Sequence, residues 1–262
     1  MMSRRYEELT SADLSGSPLR HAVAVLPIAA IEQHGPHLPL GTDAIIADHM
    51  VGLTVERLPE AVPVTILPTM RLGVSTEHAR FAGTLGHRWD TMIRSLIEVG
   101  DGLAATGFRR LVIVSSHGGN TPAMDTAALE LRAGHDMLVA PVSWQRFGYP
   151  PALLPDDEIA VGIHGGAIET ALMLFFRPDL VRGDGVSDFA SLQSEMEIRT
   201  KRLRAHGRLG FGWLAGDLNE AGTVGNAGLA NAEMGRAIAE HQVAGFIEFV
   251  QDVAAFDLAH LR

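Results

Sequence analysis

The chain has 262 residues, 47% of them hydrophobic, enough to bury a substantial core as one domain. Its net charge of −10 argues against nucleic acid or an anionic membrane surface as a partner, since both reward clustered Lys and Arg. Cysteine is absent, which excludes disulfides, zinc–thiolate sites and thiol nucleophiles and fits a reducing compartment. Arg4-Arg5 is followed by Glu7, Glu8 and Asp13, where a signal peptide needs an apolar run. No apolar stretch reaches the ~18 residues of a membrane span. A soluble cytoplasmic protein is expected.

The first predicted element is a strand over residues 22–31, an apolar run without polar alternation and therefore buried on both faces. Directly after it stands Glu32-Gln33-His34-Gly35-Pro36-His37, with Asp43 nine residues beyond His34. Carboxylates and imidazoles where a buried strand emerges are costly to leave unpaired, and a divalent cation offsets that cost. Glu32 and His34 are two apart, so in an extended segment they point the same way. The competing reading is a polar loop capped by Thr42 or Asp43.

A helix over 44–57 leads to a second strand, 62–67, and a loop carrying His78 that could line a crevice. A helix over 89–105 precedes a third strand, 111–116, which ends in Ser115-Ser116-His117-Gly118-Gly119-Asn120. That segment reads either as a glycine-rich turn with a merely hydrogen-bonded His117 or as part of a site. A phosphate loop is disfavoured because no Gly-Lys-Ser/Thr follows. A Ser-His nucleophile is disfavoured because the two are adjacent and no Gly-x-Ser-x-Gly elbow exists. Thr121-Pro122 predicts a helix start over 121–132, with the hydroxyl as cap, and 137–142 is a fourth strand. Alternating strands and helices predict a mostly parallel sheet with helices on both faces. In such a sheet ligands collect outside the carboxyl ends of strands, where both polar motifs sit.

The pattern changes after Pro150. His164-Gly165-Gly166-Ala167-Ile168-Glu169-Thr170 opens an all-round apolar helix over 166–176. Glu169 in its first turn could simply complement the helix dipole. The reading favoured here makes Glu169 a metal ligand within the catalytic set and His164 a catalytic acid or base. A charged surface helix is predicted over 189–205, an irregular loop with seven glycines over 207–228, and an amphipathic helix over 231–253. His37, His78 and the loop residues Gly118, Gly119 and Asn120 are candidates to face substrate. Trp144 and Trp213 are candidates for an apolar wall, although core packing is the commoner use of tryptophan.

Glu-Gln-His-Gly-Pro-His with a downstream Gly-Thr-Asp, then Ser-His-Gly-Gly-Asn, then His-Gly-Gly-x-x-Glu-Thr, resembles the creatininase (creatinine amidohydrolase) family. Gly212-Trp213 and the glycines of 222–225 resemble its late glycine-rich segment. The resemblance implies a single domain over 1–262 with a three-layer α/β/α sandwich and a mostly parallel central sheet. It implies two divalent metal ions, Zn, Mn or Fe, with Glu32, His34, Asp43 and His117 as ligands and Asp43 bridging. The loop after the histidine supplies a tyrosine and a glutamate in creatininase, where this chain has Gly118 and Gly119, so Glu169 is the expected replacement. His164 matches a histidine tied to substrate and proton transfer. The Trp-Asp before it in creatininase is Ala160-Val161 here, which points away from creatinine itself. The segment Phe81-Ala82-Gly83-Thr84 departs from the family's Phe-Pro-Gly-Thr. The expected activity is cleavage of a C–N bond in a small or cyclic amide, a lactam or formamide, by a hydroxide bridging the two ions. A small-molecule substrate and a homo-oligomer, hexameric by analogy, follow from the same likeness. Rival readings are a peptide-trimming enzyme of the mycofactocin type and a non-catalytic metal- or ligand-binding protein.

Overall fold

The structure, a computed structural model, describes residues 2–15 and 19–261. A single helical turn, α1 (Ser11–Leu14), precedes the sheet strands β1 (Val23–Ile28), β2 (Val64–Ile66), β3 (Arg110–Ser115) and β4 (Leu138–Ser143). These pair in the order β2-β1-β3-β4, all parallel. The helices α2 (Thr42–Arg57), α3 (Trp89–Thr106) and α4 (Thr121–His135) connect successive strands. After β4 come α5 (Asp156–Val161), α6 (Ala167–Phe176), β5 (Asp188–Phe189), α7 (Leu192–Arg199), α8 (Ala215–Leu218), β6 (Gly225–Asn226) and α9 (Ala232–Ala255).

Strand side chains alternate between two cores, as the pleat requires. Val23 and Val25 of β1 and Val112 and Val114 of β3 pack with α2, α6 and α9 through Met50, Met173 and Phe246. Ala24, Leu26, Leu111 and Ile113 face α3 and α4 through Leu96, Met124 and Leu131. The sandwich therefore has three layers with the parallel sheet in the middle, as the alternation of apolar runs predicts. Gly235 lets α9 approach α6 closely, because a Cβ there would overlap the Ala171 carbonyl. Pro27 is tolerated in a central strand because β2 has ended at its level, where its carbonyl accepts from the Met70 N–H at 2.9 Å.

The sheet order matters for function. The connection leaving β1 passes to β2 on one side, whereas the connection leaving β3 passes to β4 on the other. The carboxyl ends of β1 and β3 therefore flank the point where loops diverge, the usual crevice of an open parallel sheet.

Three local expectations change. The helix expected over 189–205 shrinks to α7, because β5 pairs with β6 before it. Beyond α7 the Gln193 side chain accepts from the Ala205 N–H at 2.7 Å, drawing the chain back. The glycine-rich stretch over 207–228 is not wholly irregular, since it contains α8 and β6. Thr121 is the first helical residue rather than the cap: the 3-10 turn Gly118–Asn120 runs straight into α4, with Asn120 already helical at φ −72° and ψ −18°.

Candidate metal centre

β1 leaves the sheet after Ile28, and the next residues are fixed by backbone bonds from Glu32 N–H to the Leu40 carbonyl (3.0 Å) and from Leu85 N–H to the Ile31 carbonyl (2.8 Å). This holds Glu32 and His34 over the end of the sheet. Asp43 follows in the first turn of α2, and the Ser116 hydroxyl donates to its backbone carbonyl at 2.8 Å. His117 comes directly off β3, its N–H donating to the Ser115 hydroxyl at 3.1 Å. Glu169 enters from the first turn of α6, where it accepts from the Gly165 N–H at 2.6 Å.

These side chains converge. His117 Nδ1 lies 3.1 Å from Glu32 Oε1 and 3.8 Å from Asp43 Oδ2. His34 Nε2 lies 3.8 Å from the same Asp43 oxygen and 3.7 Å from Glu169 Oε2. His164 Nδ1 stands 3.6 Å from Glu32 Oε1. Three groups of potential ligand atoms result: Glu32 with Asp43 and His117, His34 with Asp43 and Glu169, and Glu32 with His34 and His164. Asp43 belongs to the first two, as a bridging carboxylate would.

The histidine tautomers follow from the hydrogen-bond pattern. His34 Nδ1–H donates to the Glu32 carbonyl (3.1 Å), His117 Nε2–H to the Val74 carbonyl (2.8 Å) and His164 Nε2–H to the Gln33 carbonyl (2.7 Å). Each ring thus turns its other, unprotonated nitrogen toward the carboxylates, the arrangement that metal-ligating histidines ordinarily show. Gln33 Nε2 has three neighbours but only two hydrogens. With His164 Nε2 already a donor, those hydrogens go to His78 Nδ1 at 2.7 Å and the Gly222 carbonyl at 2.6 Å. His78 therefore turns Nε2–H toward Glu32 Oε1, 3.5 Å away and outside hydrogen-bond contact, and does not offer that nitrogen as a ligand.

Burial without partners is the decisive property. Glu32 is 0% exposed and Asp43 1%, yet both Glu32 oxygens, Asp43 Oδ2 and His34 Nε2 lack any hydrogen-bond partner. Burying even a neutral polar group without a partner costs roughly 2–7 kcal/mol, and an ionised one far more. The donor set of carboxylate oxygens and imidazole nitrogens, all aimed at one interior, fits divalent Zn, Mn or Fe.

Proton affinities carry the same message. Burial pushes Asp43 well above the usual carboxylate range, and the nearby Glu32 adds to it. Burial also raises Glu169 and Glu77. For Glu32 burial acts in the same direction, but His117, His164 and His78 outweigh it and hold the carboxyl well below its ordinary value. Burial opposes a charge on His117, yet Glu32 and Asp43 prevail and raise it well above the ordinary imidazole. His34 is pushed well down by burial and by His164, and His78 is lowered to about 3, chiefly by burial.

The cluster opens into a cavity of about 260 Å³ lined by Glu77, His78, His117, Gly118, Gly119, Gln145, Ile163, His164, Glu169 and Trp213. A second cavity of about 250 Å³ adjoins it, sharing Gln145, Ile163 and Glu169 and continuing past Tyr149, Ile159, Gly162 and Ile168. Burial, with Glu169 nearby, pushes the Tyr149 hydroxyl up to about 12.

Of the residues expected at the site, Glu32, His34, Asp43, His78, His117, His164 and Glu169 come together, with Gly118 and Gly119 on the cavity wall. Three others stand elsewhere. His37 is fully buried, its Nε2 bonded at 3.0 Å to both the Gly165 carbonyl and the Thr170 hydroxyl and its ring stacked on Phe189, so it braces one motif against another. Asn120 ties Val74 N–H (2.9 Å) to the Ala29 carbonyl (3.0 Å) beneath the site. Trp144 packs in the core against Phe246 at 4.7 Å, so core packing takes precedence over a cavity wall. Sequence reading missed Glu77, Gln33, Gln145 and Ile163. Glu77 carried a usable signal, as the neighbour of His78 in the loop after β2.

The family model described as creatinine amidohydrolase matches residues 7–250. The chain belongs to the creatininase family. A mycofactocin precursor peptide peptidase of Mycobacterium tuberculosis is 32% identical over 246 residues, covering 88% of this chain and 85% of that protein. A creatinine amidohydrolase of Pseudomonas putida is 31% identical over 182 residues, 63% of this chain and 68% of that protein. A crystal structure of creatininase superposes with a TM-score of 0.75 at 26% identity, covering 98% of this chain and 100% of the other. A manganese creatininase gives 0.74 at 26% identity, covering 96% of this chain and 98% of that one. The fold is thus that of the family, and solved neighbours include manganese and zinc forms. Among the described residues no helix is long and apolar enough to cross a membrane.

Proposed function

We propose that this protein hydrolyses a C–N amide bond at a pair of divalent cations held by Glu32, His34, Asp43, His117 and Glu169. The observation that carries this reading is the set of buried, unpartnered ligand atoms on Glu32, His34 and Asp43 around one interior point. When bound, such cations supply Lewis acidity, making water nucleophilic near neutral pH and polarising an amide carbonyl. Asp43 would be shared between the ions, and Glu169 would serve in place of the carboxylate absent at Gly119.

The chain's own residues handle protons and position. His164 lines the cavity with Nδ1 unprotonated and its other nitrogen locked on the Gln33 carbonyl. It can therefore accept a proton from attacking water and deliver it to the departing nitrogen, the demanding part of amide cleavage. His78, oriented by the Gln33 amide, turns its Nε2–H toward Glu32 and adds positive potential beside that carboxylate.

For the substrate, two adjoining cavities exceed what a five-membered lactam needs, and the second is walled by Tyr149, Ile159, Ile163 and Ile168. We infer a short peptide-like amide with an apolar group beside the scissile bond. The likeness to a mycofactocin precursor peptide peptidase over most of both chains supports this over a lactam or formamide. Manganese- or zinc-loaded protein should cleave members of a short-peptide panel faster than creatinine, other lactams or formamides. Preference for the rings would reverse the substrate reading, and hydrolysis of nothing in either panel would overturn the enzyme reading.

A further inference from the structure

We propose that Glu77 determines specificity by binding a positively charged nitrogen, an ammonium or guanidinium, carried by the substrate close to the scissile bond. This inference rests on the metal amidohydrolase reading above. Glu77 sits on the 3-10 turn Thr76–His78 beyond β2, and its side chain, 18% exposed, forms part of the cavity wall. No Lys or Arg lines that cavity. One carboxylate oxygen lies 3.5 Å from His117 Nε2, whose hydrogen already goes to the Val74 carbonyl, and the carboxylate also accepts from its own backbone N–H, so no cationic side chain pairs with it.

Gly119 makes room for it. A Cβ at that position would overlap both Glu77 Oε1 and the His117 ring, so the bare backbone is what admits this carboxylate to the wall. The chain thus lacks a side chain on the loop after His117 and gains an acid from the loop after β2.

Charge balance then assigns the role. Glu32, Asp43 and Glu169, with a hydroxide, would together balance the charge of two dications. Glu77 is left over, and with a single ion the negative surplus would be larger. A carboxylate in a poorly solvated wall binds a substrate cation more strongly than an exposed one would, and leaving it unpaired is unfavourable. Neutral substrates forgo that pairing.

Nα-acetyl hydroxamates of lysine and ornithine, set against those of norleucine and norvaline, test this without turnover, since all four offer the same chelating group and only the first two carry a cation. Calorimetric titration of manganese-loaded wild-type protein should show the basic pair binding about tenfold tighter or more. Glu77→Gln should abolish that preference while leaving Nα-acetylnorleucine hydroxamate affinity and bound manganese within about twofold of wild type. Equal binding of the two pairs by wild type, or a preference that survives in Glu77→Gln, overturns the inference alone. Loss of manganese from Glu77→Gln also overturns it, by making Glu77 a support of the metal. A wild-type protein that takes up no metal overturns the metal reading and this inference with it.

Discussion

Glu32 and His117 follow β1 and β3 of a four-stranded parallel ladder, and Asp43 at the start of α2 is tied to the end of β3 through Ser116, whereas His164 and Glu169 stand on a segment outside that sheet. The second region is held by buried polar struts instead. The Glu158 carboxylate accepts from Ala167 N–H at 2.8 Å and Asn226 N–H at 2.7 Å, joining the start of α6 to β6. Gly162, Gly166 and Gly225 crowd around it, and a Cβ on any of them would overlap its oxygen. An antiparallel bridge between His164 and Val224, and the His37 contact with Gly165, complete the frame. One half of the centre thus inherits its geometry from a sheet and the other from a few hydrogen bonds, so the two halves should fail differently.

The largest effect is expected in the sheet-borne half. Asp43→Asn should lower kcat/KM by more than ~100-fold, beyond the 10–100-fold cost of losing a residue that merely supports a ligand. Its melting temperature without metal should not fall, since the substitution removes a carboxylate whose charge is disfavoured there. A drop of tenfold or less, measured in steady state, would remove Asp43 from the shared position.

In the glycine-rich half, Glu158→Ala leaves two buried N–H groups without partners and should cost about 2–5 kcal/mol in denaturant unfolding. Activity at low metal concentration should fall with it and recover partly with excess metal, because the ligands remain but are less well placed. Unchanged stability would mean that α6 is positioned by its packing alone.

The pH response joins the two halves. Asp43, Glu169 and His117 all bind protons more tightly in the folded chain than ordinarily. Stability from those protonations is full below the unfolded values, near 4 for the acids and 6.5 for the imidazole, and is lost as pH rises through the higher folded ones. His34 and His78, lowered on folding, act the other way below about 6.5, so a metal-free sample should lose stability as pH rises above about 7, while metal affinity climbs because fewer protons compete. Metal affinity that is flat from pH 6 to 8 would contradict the raised values.

The smallest change is expected at Trp144, where Trp144→Phe alters a core ring contact with Phe246 and should cost about 1–3 kcal/mol with kcat/KM held within twofold. A larger loss of activity would return Trp144 to the site.

How legible each half was follows the same division. The strands and α2–α4 could be read from uninterrupted apolar runs, because a parallel strand buried on both faces has little choice of side chain. The first residues of the candidate centre could be read because Glu32, His34 and Asp43 are costly next to such a strand unless a cation joins them. The region from 189 to 228 was less legible: β5 and β6 have two residues each, too short for a periodic signal, and α7 is cut short by the long-range bond from Ala205 to Gln193. His37 was misplaced because a buried bracing histidine and a substrate-facing one look alike in sequence. Glu77 was missed because its importance depends on an empty position, Gly119, on another loop.

The central claim is best tested by counting bound divalent ions after equilibration with manganese or zinc and removal of free metal. The account predicts about two ions per wild-type chain, and loss of at least one in each of Asp43→Asn and Glu169→Gln. A wild-type chain that retains none, or variants that retain as many ions as wild type, would contradict it.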